Sequence, residues 1–479
     1  MSEVGGGYLR PLMKLPTSNT ASFAKPAWLG GCLEIAHAWA PPALRPVLDR
    51  IGLSPTANRF LDGALWGIAG ALIGRALVLL SSVVAGRMLG RESFGELGII
   101  QNTANTFSVF AGFGLGLAAT KHVAEFRKAD PARAGRAMAA AGFVAAVFGA
   151  AVSLALVAAA PFMAENLLRA PHLSGLLRVG ACLVFLGAVN GAQMGALAGF
   201  ESFRQIARIN LTTGLLSFPL AVGGVWFWGL QGAVWSLVLS LGANWFLTRR
   251  TLIAESRRAG VPIQFAVDYR ELRGLFSFSS IAFAGGVAVW SATWTGNWLL
   301  IRQPDGYGEM GLYNVASQWR MAVLFVPASL GAVALPMMSS LRGEGRDGSF
   351  QRVFRVSVLL NGLVAVVAAV PLLFVAGPLL AGYGPGFLEG RIAFVIALVS
   401  AVVIAVNNAL SRAMAGAGRM WADLSFNFVW SIAFLAGGWW LVPRWGAAGL
   451  AGATLAAAVV QGFFQWVYLL IRSPKSLSA

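Results

Sequence analysis

The sequence predicts an all-α polytopic membrane protein, with about twelve transmembrane helices in two pseudo-symmetric lobes of six and both termini in the cytoplasm. Three observations predict it: the composition, the placement of the basic residues, and a short motif that occurs twice. Of the 479 residues, 57% are apolar and 11% are charged, and the mean hydropathy is +0.70. Because soluble domains carry about 25% charged residues, this composition indicates a membrane protein.

Twelve apolar stretches are long enough to cross a bilayer, which takes about 20 mostly apolar residues in a helix. We number them as spans 1 to 12 in chain order. They cover residues 64–86, 94–118, 137–160, 174–199, 206–228, 230–248, 275–301, 309–336, 357–381, 391–415, 422–442 and 447–470.

The placement of the basic residues explains the net charge of +17. If the N-terminus is cytoplasmic, 26 of the 36 Lys and Arg fall in cytoplasmic segments or their flanks, and six fall in outer connections. This is the positive-inside bias, and it places both termini in the cytoplasm. The basic excess therefore indicates topology and attraction to anionic lipid headgroups, and no nucleic-acid partner is expected.

A short motif occurs once in each half of the chain. The string "SFGELGI" (93–99) recurs as "GYGEMGL" (306–312), at the start of spans 2 and 8. A second pair, "WGLQGA" (228–233) and "WGAAGL" (445–450), is 217 residues apart and predicts a tight turn before the last span of each half. Two halves of six helices in the same order predict a duplicated transporter bundle. In it, glycines permit close helix approach, and glutamates near a helix start complement the helix dipole.

The duplication predicts the domain organisation. We expect an N-terminal extension, 1–60, that is partly disordered or interfacial; a six-helix lobe, 61–250; a cytoplasmic linker, 251–274; a second six-helix lobe, 275–471; and a cytoplasmic tail, 472–479. Within the extension, "LRPVLDRIGL" (44–53) has the pattern of an amphipathic helix on the inner leaflet. A start codon placed too far upstream explains the extension equally well, so we assign it no function.

Four arginines lie inside predicted spans: Arg75, Arg178, Arg320 and Arg412. Arg178 and Arg412 lie within about one turn of a span end, from which a long side chain can reach water. Arg75 and Arg320 lie near mid-span, where an unpaired charge costs at least about 2.5–3.5 kcal/mol. No Asp or Glu lies mid-span, so we expect a visiting anion to supply the counter-charge of Arg75 and Arg320.

Polar side chains concentrate on spans 2, 7 and 8. They include Gln101, Asn102, Asn105 and Ser108 on span 2, Asn297 among Trp290, Trp294 and Trp298 on span 7, and Tyr313, Asn314, Ser317 and Gln318 beside Arg320 on span 8. Polar stripes in hydrocarbon face a bundle interior or a cavity, so spans 1, 2, 7 and 8 are the expected cavity lining. For each single amide, interhelical hydrogen bonding and substrate contact are equally good interpretations.

The stretch "RMLGRESFGELGIIQNTANTFSVFAGFGLGLAATKHVAEF" (87–126) resembles the entry region of bacterial polysaccharide biosynthesis flippases. These flippases form the oligosaccharide-lipid branch of the multidrug/oligosaccharidyl-lipid/polysaccharide (MOP) superfamily. The matching features are a Leu-Gly-x-x-x-aromatic-Gly-x-apolar pattern after the first helix and a Gly-Leu-Gly stretch before a basic loop. The resemblance extends over about residues 60–472 of this chain.

The resemblance implies a two-lobed protein of the bacterial inner membrane, with a cationic central cavity that opens alternately to each side. It implies that Arg75, Arg320 and Arg87 bind the diphosphate of an undecaprenyl-linked oligosaccharide, which suits the planar donor fork of arginine. The residues expected to bind its sugars are Asn102, Asn105, Asn297, Asn314 and Gln318. The implied partners are this lipid-linked substrate, membrane lipids and the polysaccharide polymerase machinery, and the protein is expected to be a monomer.

Three other functions fit less well. A cation-coupled multidrug exporter of the same superfamily uses intramembrane carboxylates, and this chain has none at mid-span. A peptidoglycan-precursor flippase usually has fourteen helices. A membrane-embedded polysaccharide polymerase or ligase needs a sizeable outer loop with catalytic side chains, whereas the longest one here, 161–173, has about 13 residues and a lone histidine, His172. No phosphate-binding loop, metal-ligand spacing or cysteine motif is visible, so we expect neither a cofactor nor an enzyme.

Overall fold

The computed structural model describes residues 55–112, 114–262, 269–343, 347–416 and 418–472. The predicted interfacial helix at 44–53 and the tail beyond residue 472 lie outside the described residues. The chain divides into two units, Met1–Ala64 and Leu65–Ala479. The first unit is described from residue 55 onwards, where it is helical, and the second contains the two predicted lobes from residue 65 onwards.

Every element in the described part of the chain is helical, as the composition predicted. The α-helices are α1 (Pro55–Gly112), α2 (Leu115–Phe126), α3 (Pro131–Phe162), α4 (Ser174–Gly199), α5 (Phe203–Arg258), α6 (Tyr269–Ile301), α7 (Gly306–Gly343), α8 (Asp347–Phe374), α9 (Ala376–Tyr383), α10 (Arg391–Gly416) and α11 (Met420–Arg472). A π-helical turn, Met163–Leu167, and two 3₁₀ turns, Pro171–Leu173 and Phe387–Gly390, lie in the connections.

Three of the long helices are bent at a glycine with positive φ. Gly90 bends α1 (φ 76°), Gly229 bends α5 (φ 54°) and Gly446 bends α11 (φ 48°). Glycine adopts this conformation readily because it has no Cβ. Gly229 and Gly446 belong to the pair "WGLQGA" and "WGAAGL", so each predicted tight turn is a sharp bend between two helical segments.

The bends allow these helices to fit a bilayer. Helix α5 has 56 residues and would be about 84 Å long if straight, against about 30 Å for the hydrocarbon core. Seven stretches of described helix are long and apolar enough to cross a membrane, and three of them contain one of the bends. Once the bent helices are divided at their glycines, ten of the twelve predicted spans each lie within one described helical segment. Span 2 is interrupted after Gly112, and span 9 is interrupted at Val375, between α8 and α9. The number of bilayer crossings stays a prediction.

Element boundaries also differ from the sequence-based expectation in span 2 and in the predicted linker between the lobes. Span 2 ends at Gly112, and the chain continues after Gly114, in a left-handed conformation, as the short helix α2. The predicted linker 251–274 is helical at both ends, because α5 continues to Arg258 and α6 begins at Tyr269.

The helices pack in two groups that correspond to the two halves of the chain. In the first, α4 packs against α2, α3 and α5; in the second, α10 packs against α7, α8 and α11, and α6 packs against α11. Small and apolar side chains fill these interfaces, such as the fully buried Phe394 and Leu398 of α10.

The connections predicted to face the periplasm meet at one end of the bundle, which we call the outer end. They contain residues 87–93, 163–173, 302–305, 384–390 and 445–446. Contacts between them join the two groups: Arg91 binds Glu389, and the hydroxyl of Tyr307 donates to the carbonyl oxygen of Leu168 at 2.8 Å. The deeper space between the groups contains the candidate site.

Candidate functional site

A cavity of about 320 Å³ lies between the two groups of helices, and we call it the central cavity. The second segment of α1, α6 and α7 form most of its wall, so spans 2, 7 and 8 meet there. The predicted substrate-binding residues that line it are Asn102, Asn105, Asn297, Asn314 and Arg320. Its other polar and aromatic lining residues include Gln101, Trp290, Thr293, Tyr313, Ser317 and Trp430.

Arg320 supplies the positive charge of the central cavity. Its side chain is 7% exposed, and one guanidinium nitrogen, Nη2, lies 3.5 Å from the hydroxyl oxygen of Ser317. The guanidinium carbon lies 5.9 Å from the ring centre of Tyr313. The other nitrogen, Nη1, is buried and has no hydrogen-bond partner among the described residues, and no described carboxylate pairs with the side chain. A buried cation without a carboxylate partner favours binding of an anion.

The amides of the central cavity are of two kinds. Asn102 and Asn297 each keep a buried side-chain oxygen without a hydrogen-bond partner in the described part of the chain. Asn314 is used for packing: its amide nitrogen lies 3.5 Å from the carbonyl oxygen of Phe94, and its oxygen accepts from Gln318 at 3.4 Å. Asn314 therefore forms an interhelical hydrogen bond, whereas Asn102 and Asn297 keep oxygens that can accept a hydrogen bond from a ligand.

A second cavity of about 250 Å³ adjoins the first at Gln101, which lines both, and we call it the serine-lined cavity. Its serines are Ser81, Ser82, Ser217, Ser236 and Ser240. Arg75 lines this cavity, and its Nε is buried without a hydrogen-bond partner among the described residues. Gln318 reaches it from α7. The two mid-span arginines thus lie in neighbouring cavities rather than in one.

The remaining arginines that the sequence singled out lie outside both cavities. Arg87 is exposed near the outer end, beside Gly384, and Arg178 is exposed on α4. Arg412 is half-buried, and its guanidinium donates to the carbonyl oxygens of Pro327 and Ala328 at 3.4 and 3.0 Å. Its charge therefore contacts the backbone of α7.

Arg91 joins the two lobes at the outer end. Its guanidinium donates to Glu389 at 2.5 Å and to Asp305 at 2.6 Å. Partial burial lowers the pKa of Arg91, but the hydrogen bond to Glu389 and the charges of Asp305, Glu389 and Glu309 raise it above the ordinary value. From the sequence, Arg91 is only one of the six basic residues of the outer connections, because its two acids lie 214 and 298 residues away.

Donors of the second lobe also bind carbonyl groups exposed at the π-helical turn of the first. Trp298 and Arg302 donate to the carbonyl oxygen of Leu167 at 3.1 and 3.3 Å, and Tyr307 donates to that of Leu168. Burial raises the pKa of Tyr307, and the charge of Glu96 adds to the effect, so its hydroxyl keeps its proton. These bonds, together with those of Arg91, close the outer end.

The glycines of the repeated motif lie in the same closed region. A Cβ added at Gly95 would overlap the carbonyl oxygen of Tyr307, and one added at Gly311 would overlap the carbonyl oxygen of Arg91. Gly98 packs on the side chain of Asn314. The two copies of the motif therefore pack against each other, and glycine is required because the two backbones touch.

The motif glutamates bind partners that the sequence did not indicate. Glu309 accepts a hydrogen bond from the backbone nitrogen of Ala447 at 2.6 Å, and so caps the helical segment that begins after Gly446. Glu96 contacts the ring of His172, with Nε2 at 2.5 Å. The two equivalent glutamates of the motif therefore make different contacts.

Three polar pairs in the second lobe were missed by sequence analysis. They are Asn407 and Ser411 on α10, Asp423 and Asn427 on the first segment of α11, and Gln461 and Gln465 on its second segment. Each pair has the spacing i, i+4, which places both side chains on one helix face. That spacing, in otherwise apolar spans, was the signal that could have found them.

The fold and the sequence both have known relatives. The chain is similar to the EPS I polysaccharide export inner membrane protein EpsE of Ralstonia nicotianae, with 24% identity over 383 residues, covering 79% of this chain and 86% of that protein. Its fold is similar to the inward-facing conformation of a multidrug resistance MATE family transporter of the MOP superfamily. That match has a TM-score of 0.73 and 14% identity, and covers 85% of this chain and 98% of the other.

A MOP superfamily transporter from Pyrococcus furiosus, whose binding pocket is described as having reverse polarity, matches with a TM-score of 0.63 and 13% identity. That match covers 86% of this chain and 95% of the other. Residues 60–342, more than half of the chain, match the family described as polysaccharide biosynthesis protein. The protein is therefore a multi-pass, polysaccharide-related transporter of the inner membrane. The chain belongs to the polysaccharide biosynthesis protein family, and its fold is similar to that of MOP superfamily transporters.

Proposed function

We propose that this protein is a flippase that moves a polyprenyl-diphosphate-linked oligosaccharide, a precursor of surface polysaccharide, from the inner to the outer leaflet of the inner membrane. The diphosphate would bind in the central cavity at Arg320, and the sugars would contact its amides and indoles. The polyprenyl tail would stay in the surrounding lipid.

The observation that carries this proposal is the unpaired guanidinium of Arg320. A cation buried between helices is costly unless something compensates it, and no described carboxylate does so. A diphosphate supplies two or more negative charges and several acceptor oxygens, which match the donors of arginine. Arg75, in the adjoining cavity and also without a carboxylate partner in the described chain, extends the positive region towards the first lobe.

The rest of the central cavity suits a sugar. Trp290 and Trp430 present indole surfaces, while Asn102 and Asn297 keep oxygens that can accept hydrogen bonds from sugar hydroxyls. An oligosaccharide needs both kinds of group, because one face of a sugar ring is apolar and its rim is polar.

Alternating access supplies the route. The contacts of Arg91, Tyr307 and the motif glycines close the outer end, so release to the periplasmic side requires the two lobes to separate there. Rocking of one six-helix lobe against the other would do this while the binding site stays between them.

Export of cationic drugs by the same fold is the second candidate, and the cavity does not favour it. None of the described residues that line the central or the serine-lined cavity is Asp or Glu. A cationic compound would meet Arg320 or Arg75 without a compensating acid, which is unfavourable at mid-bilayer depth.

The direct test is a deletion strain. Loss of the protein should cause lipid-linked oligosaccharide to accumulate on the inner leaflet and should stop delivery of surface polysaccharide. Wild-type protein should restore delivery, whereas Arg320→Ala should not, although it inserts and folds. The matched control is Arg178→Ala, which removes an exposed arginine from a span outside both cavities. Full delivery by Arg320→Ala would refute the proposed role of the guanidinium.

A binding measurement separates the diphosphate from the rest of the substrate. Purified protein in lipid nanodiscs should bind polyprenyl diphosphate more tightly than polyprenyl monophosphate. Arg320→Ala should reduce diphosphate affinity by about tenfold or more, because a hydrogen bond to a charged group contributes about 1.5–3 kcal/mol. Equal affinity for the two lipids in the wild type would contradict recognition of a diphosphate.

A further inference from the structure

A polar cluster lies inside the second lobe, away from both cavities. The hydroxyl of Ser411 on α10 accepts a hydrogen bond from Gln465 Nε2 at 3.0 Å, and the carboxylate of Asp423 lies beside the same hydroxyl. One turn after Asp423 in the first segment of α11, Asn427 accepts a hydrogen bond at 3.2 Å from Gln461, which lies one turn before Gln465 in the second segment. Ser411 therefore brings one residue of each segment of α11 together, and we call Ser411, Asp423 and Gln465 the inner triad.

Two buried oxygen atoms of the inner triad have no hydrogen-bond donor among the described residues. The carboxylate oxygen Oδ1 of Asp423 is buried without a hydrogen-bond partner among the described residues, and so is the amide oxygen of Gln465, whose side chain is 0% exposed. Buried acceptors are nearly always paired in proteins, so two unpaired oxygens around one hydroxyl call for a missing hydrogen. The backbone does not supply it.

Comparison of the two lobes shows that the fold does not require a polar triad here. At the offset of 217 residues that relates the lobes, Ser411, Asp423 and Gln465 correspond to Met194, Ile206 and Thr248. The contact itself is repeated, because the hydroxyl of Thr248 lies 3.7 Å from the sulfur of Met194. The first lobe thus makes the same helix contact without a charge, so Asp423 is not needed for packing.

We propose that the inner triad is a proton-binding site, at which a proton from the cytoplasmic side binds Oδ1 of Asp423. Protonation neutralises the carboxylate and gives Oδ1 of Asp423 a hydrogen that it can donate. The amide oxygen of Gln465, which has no donor among the described residues, can accept it. Asp423 lies in the first turn of α11, next to a predicted cytoplasmic connection, and is half-buried, so water can deliver the proton.

The surrounding charges leave this carboxylate without an ion-pair partner. Arg419, one turn earlier, places its guanidinium 5.7 Å from the ring centre of Tyr468, and Arg412 on α10 donates to the carbonyl oxygen of Ala328. Within the described residues, neither arginine forms an ion pair with Asp423. A bound metal ion fits less well than a proton, because no group of three Asp, Glu, His or Cys residues occurs in the described chain.

Infrared difference spectroscopy of the full-length protein in lipid nanodiscs tests the site. Between about pH 5 and pH 9, where an ordinary Asp stays ionised, the wild type should show a carboxylic-acid carbonyl band that disappears as the pH rises. Asp423→Asn should lack this titrating band, and Asp423→Glu should keep it at a shifted frequency. The matched control is Asp130→Asn, which removes an exposed carboxylate at the start of α3 and should leave the band unchanged.

Three results would overturn the proposal: no titrating band in the wild type, an unchanged band in both Asp423 variants, or a titration that requires Na⁺ and disappears in K⁺. Because the measurement uses no lipid-linked sugar, a negative result would not affect the proposed flippase function. A failure of the flippase tests would equally leave proton binding at Asp423 unaffected.

Discussion

The backbone of Gly95 packs directly on the carbonyl group of Tyr307, with no room for a side chain between them. Gly311 makes the corresponding close approach to the backbone of Arg91. Both contacts join one lobe to the other at the outer end. The two copies of the motif therefore form the two sides of a single interface.

We expect Gly95→Ala to open the outer end, because the added methyl group would overlap the carbonyl oxygen of Tyr307. Overpacking of this kind costs about 1–3 kcal/mol, and the strain is relieved when the lobes separate. The measurement is labelling of a cysteine placed at Asn105 by a membrane-impermeant thiol reagent added from outside, with the exposed Cys182 replaced by Ser. Labelling should rise by about fivefold or more.

Gly142→Ala is the matched control for this change. Gly142 also lies inside a helix, but a Cβ added there meets nothing within 4 Å. The control should label as the parent protein does. If Gly95→Ala labels at the parent rate while it folds normally, the motif glycines do not control access to the cavity.

The pair Arg91–Asp305 should contribute only modestly to closure, because their side chains are 31% and 48% exposed. A double-mutant cycle with Arg91→Ala and Asp305→Ala should give a coupling energy of about 0.2–1 kcal/mol in thermal unfolding, which falls as salt is added. The control cycle uses Arg258 and Glu255, a pair on one helix at the opposite end whose side chains are 70% and 19% exposed. It should leave outer-end labelling unchanged, whereas loss of Arg91 should increase it.

The helical architecture was predictable because it follows from composition and from glycine placement. Apolar stretches of about 20 residues can satisfy their backbone in a bilayer only as helices, and "WGLQGA" and "WGAAGL" indicated the bends at Gly229 and Gly446. What the sequence could not show was that Gly90 would bend α1 with no separate loop, because "LGRESFG" (89–95) resembles an ordinary polar connection.

The candidate site was predictable only in part. The polar stripes grouped Asn102, Asn297 and Arg320, which line one cavity, because helical periodicity indicates which residues share a face. The separation of Arg75 into an adjoining cavity depends on how α1 and α5 pack, and no sequence pattern reports that. The inner triad was missed for a similar reason, since its members lie 12 to 54 residues apart and meet only through tertiary packing.

Glu309 is expected to stabilise the last helical segment by capping it. Its carboxylate accepts from the nitrogen of Ala447, in the first turn after the bend, where backbone donors have no helical partner. Glu309→Ala should lower the free energy of unfolding by about 0.5–2 kcal/mol, and Glu309→Gln by less, because it keeps an acceptor but loses the charge. Thermal unfolding of the purified protein measures both, with the exposed Glu165→Ala as control.

The position of Arg412 depends on Gly331, and the two should be coupled energetically. A Cβ added at Gly331 would occupy the position of the Arg412 guanidinium, which donates to the carbonyl oxygens of Pro327 and Ala328. Gly331→Ala alone should therefore destabilise the protein by about 1.5–3 kcal/mol, the range for hydrogen bonds to a charged group. In the Arg412→Ala background the same change should cost little, because the guanidinium is already gone. If the two losses in thermal stability are simply additive, Gly331 has another role and does not act by making room for Arg412.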